Sequence, residues 1–202
     1  MIKVEAICGQ GKRESNLDFF YQLSEHIFLI LDGYGATTKE DISGFYREVS
    51  SKNCNKLEDL IHVIQLISPN FQSCITIIEI KGCYIRYFYQ GDIRIYVNSI
   101  LITKDHSYAW MLLERKKCFS AEKIASKCLF HKYRNLLYKN IKNIDDTEKQ
   151  IEVLKVDLPS KVLVCTDGYW TIEHRKIIES SSYSLNELFS KDNYSAILFS
   201  IT

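Results

Sequence analysis

The chain has 202 residues, of which 46% are hydrophobic and 12% aromatic, and its formal net charge is +1. This length and composition suit one domain with a hydrophobic core and exclude a disordered chain. The balanced charge lacks the basic surplus of a general nucleic-acid binder, and no apolar run approaches the ~20 residues that span a bilayer. The first residues, MIKVEAICGQ, lack the features of a signal peptide. We therefore expect a cytoplasmic protein that binds neither nucleic acid nor membranes.

The N-terminal third predicts strands followed by helices. Strand patterns cover residues 2–8, 18–24 and 26–32, with a loop of glycines and charges between the first two. Residues 37–51 begin with threonines and acids, which are helix-start signals. Residues 55–68 carry apolar side chains at helical spacing, and Pro69 ends that pattern.

The rest of the chain is dominated by strand patterns. Runs rich in β-branched and aromatic residues at 73–80, 83–91 and 93–103, with turns between them, predict an antiparallel meander. Residues 120–141 predict a helix, 151–157 and 161–165 strands, 184–190 a short helix, and 194–202 a final strand. The helices occur in separate groups, so we expect an α+β fold of antiparallel sheets with helices packed outside them.

The seven cysteines predict free thiols. Their number is odd and no pair has C-x-x-C spacing. Disulfides and zinc ligation are therefore disfavoured against thiols in a reducing compartment. Cys74 and Cys165 lie within apolar runs, and we interpret both as core residues.

Two apolar strand patterns end in the same dipeptide, Asp-Gly. HIFLILDG ends at Gly33 and KVLVCTDG at Gly168. Asp-Gly commonly forms a hairpin turn, which would require a second strand directly after it. Helical patterns follow instead in both places. An alternative interpretation is that the strands present Asp32 and Asp167 as functional acids.

Two further acids have comparable positions: Asp18 begins a strand and Asp192 precedes the last strand. Carboxylates at strand ends can converge on Mg²⁺ or Mn²⁺, which prefer oxygen ligands. A pair of such ions suits phosphoryl chemistry. Spacing alone leaves both a shared metal site and separate structural acids open.

The motifs, taken in order, resemble one family. The chain contains GKRESNLDFF, FLILDGYGA, SCITIIEI, YQGDIRIY, LITKDHS, VLVCTDGYW and KDNYSAILFSI. In this order they resemble the metal-dependent Ser/Thr protein phosphatases of type 2C, the PPM family, from Gly9 to Ile201. The resemblance implies a compact bacterial-type member with one domain over residues 1–202 and a short flap segment at about 108–145. The implied fold is a four-layer αββα sandwich of two antiparallel sheets flanked by helices.

The resemblance also implies a site and a reaction. Two Mn²⁺ or Mg²⁺ ions would be held by Asp18, Asp32, Asp167, Asp192 and the backbone carbonyl of Gly33. Arg13 would bind the substrate phosphate, with Asp32 and Asp167 as further catalytic residues. A hydroxide bridging the metals would attack phosphoserine or phosphothreonine in a phosphoprotein, opposing a Ser/Thr kinase. No cysteine nucleophile is needed, and the resemblance leaves the oligomeric state unknown.

Several positions depart from the family pattern. Tyr34 stands where many eukaryotic members have a histidine proposed as general acid, so we expect aryl phosphates to turn over better than phosphoserine. Leu17 replaces an acid or amide before Asp18, which removes a partner of that ligand. Ile93 and Cys74 replace a serine and a glycine of the motifs.

Thr171 replaces an acid that, with the residue matching Asp92, helps to bind a third metal in the family. A third metal at Asp92 is therefore doubtful, and an ordinary Gly-Asp turn is the alternative. The departures also keep two other functions open. One is a catalytically inactive pseudophosphatase that acts as a binding or regulatory module, and the other is a carboxylate-metal nuclease.

Overall fold

The computed structural model describes residues 1–144, 150–180, 183 and 185–202. It contains ten strands and five α-helices within that part of the chain. In order these are β1 Ile2–Gly9, β2 Asp18–Gln22, β3 Ile27–Gly33, α1 Lys39–Ser50, α2 Leu57–Ile67, β4 Ser73–Lys81, β5 Tyr84–Gln90, β6 Arg94–Val97, β7 Ile100–Leu101, α3 Tyr108–Glu114, α4 Ala121–Cys128, β8 Glu152–Lys155, β9 Ser160–Cys165, α5 Asp167–Ser180 and β10 Tyr194–Ile201.

The strands form two five-stranded antiparallel sheets. The first sheet has the order β1-β10-β9-β6-β7 and the second has the order β2-β3-β4-β5-β8. Isoleucines, valines and phenylalanines from the facing sides of both sheets form one buried core between them. The strand patterns alternate accordingly: Phe28 and Ile30 face this core, whereas Ile27, Leu29 and Leu31 belong to a second cluster.

Helices cover the outer faces of both sheets. α1 and α2 contribute the apolar side chains that pack on the second sheet, and α5 packs on the first. α1 begins as its sequence predicts, because Thr38 and Asp41 form a reciprocal capping box. The predicted α+β sandwich with four layers is therefore confirmed. No helix in the described ranges is long and apolar enough to cross a bilayer.

Three predicted elements are wrong. Residues 73–103 are not one meander, because the chain leaves the second sheet after β5 and β6 pairs with β9 in the first. The helix predicted over 120–141 ends at Cys128 and is followed by turns and a 3₁₀ turn at Ile141–Asn143. No helix forms in the described residues 185–190, and residue 184 lies outside the described part.

Candidate metal centre

The second sheet places two of the predicted ligands side by side. Asp18 on β2 lies opposite Asp32 on β3, and Asp32 lies opposite Cys74 on β4. Residues directly opposite each other in an antiparallel sheet point to the same face. Asp32 follows Phe28 and Ile30 by alternation, so this row of side chains faces the first sheet at the open end of the sandwich.

The first sheet brings three more acids to the same end. β10 and β6 flank β9, and both Ala196 and Arg94 lie opposite Cys165, the last residue of β9. Both strands run antiparallel to β9, so the residues just after β9 and those just before β6 and β10 lie at the same end of the sheet. These residues include Asp167, Asp92 and Asp192.

Acids from both sheets meet at one cavity of about 680 Å³. Its lining includes Asp32, Asp92, Asp167, Asp192 and Gly33, together with Arg13. Asp18 lies behind this lining and is only 2% exposed. The structure thus brings together all seven predicted site residues, which are spread along the chain from Arg13 to Asp192.

Burial and mutual repulsion disfavour the ionised forms of these carboxyl groups when no cation is bound. Burial, followed by the charge of Asp18, raises the pKa of Asp32 well above its usual range. Burial and the charge of Asp167 raise the pKa of Asp92 to about 8. Burial and Asp192 raise the pKa of Asp167 to about 6, against the opposing charges of Arg134 and Arg13. A bound dication would reverse these effects, and carboxylate oxygens are the ligands that Mg²⁺ and Mn²⁺ prefer.

Asp18 has a partner that the sequence did not reveal. The Thr166 hydroxyl donates to Asp18 Oδ2 at 2.6 Å, and it accepts from the backbone N–H of Ser195. This bond favours the ionised carboxylate, although burial still raises the pKa of Asp18 well above its usual range. Thr166 therefore supplies a partner where Leu17 cannot.

Close packing leaves little room for a Cβ at Gly33 and none at Gly168. A Cβ on Gly33 would lie 2.9 Å from Ile42 Cδ1 and 3.1 Å from the Leu17 carbonyl oxygen. A Cβ on Gly168 would lie 1.7 Å from the Asn193 carbonyl oxygen. Neither step forms a hairpin, since α1 follows the first and α5 begins at the second.

Arg13 is held against a predicted metal ligand. Its Nε donates to Asp192 Oδ1 at 2.8 Å and its Nη2 to Asp192 Oδ2 at 2.7 Å. Asn193 fixes the loop that carries Arg13, because its Nδ2 donates to the carbonyls of Gln10 and Ser15. The side chain of Arg13 is nevertheless 60% exposed at the cavity.

The segment after α4 also reaches the site. Asn135 and Leu137 line the cavity, and Asn140 Nδ2 donates to the Tyr34 hydroxyl at 2.9 Å. Burial, followed by the electrostatic interaction with Cys74, raises the pKa of Tyr34 to about 12, so its hydroxyl is neutral at physiological pH. The contacts of Asn140 and the charge of Arg134 are functional candidates that no sequence motif indicated.

Asp92 is not an exposed turn residue. It is 6% exposed, its carbonyl accepts from Trp170 Nε1 at 2.9 Å, and its Oδ1 accepts from the Cys74 thiol at 3.2 Å. Cys74 is buried as predicted, but its sulfur faces the acids as well as the core. Cys165 is a core residue only, packed with the side chains of α5.

Comparisons by sequence and by structure gave different results. No protein-family model matches the sequence, and no curated protein matches it significantly. The fold is similar to the S. agalactiae serine/threonine phosphatase at 15% identity and a TM-score of 0.76, covering 100% of both chains. It is also similar to the serine/threonine phosphatase Stp1 from Staphylococcus aureus at 17% identity and a TM-score of 0.69, covering 100% of this chain and 96% of that one.

A third similar structure is the catalytic domain of the phosphatase PstP in complex with two manganese ions, at 13% identity and a TM-score of 0.66, covering 98% of this chain and 97% of that one. These likenesses extend over nearly the whole length of each compared chain. Such low identity establishes architecture, and the residues of the site carry any argument about activity. The chain therefore has the fold of the bacterial PPM Ser/Thr phosphatases.

Proposed function

We propose that the protein is a metal-dependent phosphoprotein phosphatase that hydrolyses phosphoserine and phosphothreonine. The observation that carries this proposal is the convergence of four aspartates from both sheets on one cavity that also contains a guanidinium, with Asp18 buried beside Asp32 behind the lining. Buried carboxylates with raised pKa values are costly in a purely structural role. They are expected where a protein binds cations.

The donor set suits two hard dications. Asp18, Asp32, Asp167, Asp192 and the Gly33 carbonyl would hold two Mn²⁺ or Mg²⁺ ions, and Asp92 is available to a third. When bound, such ions polarise phosphoryl oxygens and lower the pKa of water, which provides a nucleophile near neutral pH. Thr166 favours the ionised form of Asp18, and the charges of Arg134 and Arg13 favour that of Asp167, so both oppose the effect of burial before a cation binds.

Arg13 is the phosphate-binding residue in this proposal. Its planar fork already makes two parallel bonds to a carboxylate, and a phosphate presents the same spacing of acceptors. Substrate would compete with Asp192 for the guanidinium, and release of Asp192 would make that carboxylate available as a ligand. Binding of the phosphate and of the metal would therefore favour each other.

Tyr34 sets the preference for the leaving group. Tyr34 lines the cavity, but its pKa of about 12 makes its hydroxyl a weak proton donor. A serine alkoxide needs protonation more than a phenolate does, because phenols ionise near pH 10. We therefore expect phenyl phosphates to react relatively fast. The physiological substrate would be a cytoplasmic protein that a Ser/Thr kinase has phosphorylated.

Hydrolysis of p-nitrophenyl phosphate tests the proposal. Activity should require Mn²⁺ or Mg²⁺, disappear with excess EDTA, and be lost in Asp167→Asn. Asp157→Asn is the matched control, because Asp157 is an exposed acid outside the cavity. Absence of metal-dependent activity in folded protein would refute the proposal.

A pseudophosphatase is the second candidate, and one observation favours it. The fork of Arg13 is already bound to Asp192, so a phosphate must displace an existing ion pair. This function predicts metal binding by calorimetry without turnover. Turnover lost in Asp167→Asn would exclude it.

A further inference from the structure

We propose that Cys74 is a metal ligand, and that Cys74, Asp92 and Asp32 form a mixed sulfur–oxygen site for a thiophilic dication such as Zn²⁺, Co²⁺ or Fe²⁺. One ligand atom from each residue lies within 4.8 Å of the other two. The proposal shares Asp32 with the proposed phosphatase site but does not depend on turnover.

The three atoms are spaced for one ion. The centre of a triangle with sides of at most 4.8 Å lies at most about 2.8 Å from each corner. Bonds from zinc run to about 2.3 Å for sulfur and about 2.0–2.2 Å for carboxylate oxygen. A shift of well under about 1 Å per side chain therefore brings all three into coordination distance.

The sulfur is held in this position by the backbone. Cys74 lies opposite Asp32 in the β3–β4 register, which directs both side chains to the same face. Gly91 packs against it on the other side, where a Cβ would lie 2.4 Å from Cys74 Sγ. The thiol is 1% exposed, so it cannot turn out to solvent.

Asp92 points to a cation independently of the thiol. Its carboxyl group is more than nine-tenths buried and lines the cavity. Within the described ranges, no lysine, arginine or histidine forms a salt bridge with it, since the nearby Arg94 is bound to Asp105. Burial raises the pKa of Asp92 against the opposing charge of Arg94, but Arg94 makes its ion pair with Asp105. Among the described residues the Cys74 thiol is the side-chain donor to the Asp92 carboxyl group, which therefore lacks the direct ionic partner that buried carboxylates normally have.

Coordination would replace the Cys74 sulfur–hydrogen bond by a metal–sulfur bond, and the proton would pass through the cavity to solvent. Thiolate is a soft ligand that favours Zn²⁺, Co²⁺ and Fe²⁺ over Mg²⁺. The site should therefore select a different ion from the all-oxygen positions beside it.

Titration of the full-length, EDTA-treated and reduced protein with Co²⁺ tests the inference. A cobalt–thiolate bond gives a near-ultraviolet charge-transfer band that oxygen ligands do not. We expect this band in the unsubstituted protein, its loss in Cys74→Ser, and at least about tenfold weaker Co²⁺ binding to this position in Asp92→Asn. Cys165→Ser and Cys8→Ser are the controls and should retain the band, since the first thiol packs against α5 and the second lies outside the cavity.

Either of two results would overturn the inference: no band at saturating Co²⁺, or a band that persists in Cys74→Ser. Because the two sites share Asp32, hydrolysis of p-nitrophenyl phosphate is measured with Mn²⁺ in cobalt-free portions of the same preparations, which separates this failure from that of the proposed function. Hydrolysis without the band refutes the thiolate site alone. The band without hydrolysis supports the site and refutes the phosphatase.

Discussion

Raising the pH from 7.0 to 8.5 should destabilise the metal-free protein. Asp92 ionises near 3.8 in an unfolded chain, and burial raises its pKa to about 8 in the fold. Between these values the folded state holds a proton that the unfolded state has released. Linkage then requires the free energy of unfolding to fall as pH rises, until the pH passes the folded pKa. The raised pKa values of Asp18 and Asp32 act in the same direction.

The expected loss follows from the position of Asp92. At ~1.36 kcal/mol per pH unit, ionisation of this group between pH 7.0 and 8.5 removes ~1.3 kcal/mol of stability. His106 and His174 have folded pKa values lowered to about 4 by burial, so they are neutral in the fold. In the unfolded chain about a quarter of each is protonated at pH 7.0, and the loss of these protons by pH 8.5 offsets about 0.3 kcal/mol of the destabilisation. Burial also raises the pKa values of Cys74, Cys128 and Cys165. Thiols in the unfolded chain ionise near pH 8.5, so these residues add to the loss, and the Asp92→Asn comparison isolates the contribution of Asp92.

Urea unfolding followed by circular dichroism at both pH values, in EDTA, measures the effect. Asp92→Asn should reduce the loss of unfolding free energy by the ~1.3 kcal/mol attributed to Asp92. Asp157→Asn should leave the loss unchanged. Saturating Mg²⁺ should diminish the loss, because the ion keeps the carboxylates ionised in the fold at both pH values. Equal or greater stability at pH 8.5 in EDTA would refute the electrostatic account of the site.

Three further predictions concern single residues at the cavity. Arg13→Ala should raise KM for p-nitrophenyl phosphate about tenfold or more. Arg13→Lys should restore little of the lost affinity, because lysine lacks the planar fork. An unchanged KM in steady-state kinetics would show that Arg13 does not bind the phosphate. Gly33→Ala should lower the free energy of unfolding by about 1–3 kcal/mol, since its Cβ would crowd Ile42, and a stability equal to that of the unsubstituted protein in urea would contradict this packing argument. With Tyr34 as a weak acid, kcat/KM for an aryl phosphate should exceed that for a phosphoserine peptide, and the reverse order would contradict the assigned role of Tyr34.

Prediction from sequence worked where local chemistry determines structure. The strands around the buried core, the capped start of α1 and the stop of α2 before Pro69 all follow from periodicity and end signals. It failed where long-range pairing decides. The run at 93–103 has strand composition throughout, but β6 pairs with β9, a partner some 65 residues later in the chain, and the turn at Asn98–Ser99 adopts positive φ angles.

The same distinction applies to the site. Asp32 and Asp167 could be predicted as functional acids from the local sequence, because an apolar strand that ends in Asp-Gly is usually followed by a second strand, and here it is not. Thr166, Asn193 and Asn140 could not be nominated, because each acts through a partner more than 100 residues away. The sequence also did not indicate the role that we propose for Cys74, since a cysteine in an apolar run is normally a core residue. Its position opposite Asp32 in the sheet register places it beside the acids.

The geometry of the site ties its function to the integrity of the sandwich. Asp18 and Asp32 belong to the second sheet, whereas Asp167 and Asp192 are attached to the first. A cation shared between them would bridge the two sheets, so its binding energy would add to the packing of the core that separates them. Without the cation, repulsion between the carboxylates opposes that packing. Of the four predicted carboxylate ligands, Asp192 has a direct ionic partner among the described residues, which is Arg13. The ion pair and the metal would thus be alternative ways to neutralise the same end of the sandwich, which accounts for the contact between Arg13, the proposed phosphate-binding residue, and Asp192, a proposed metal ligand.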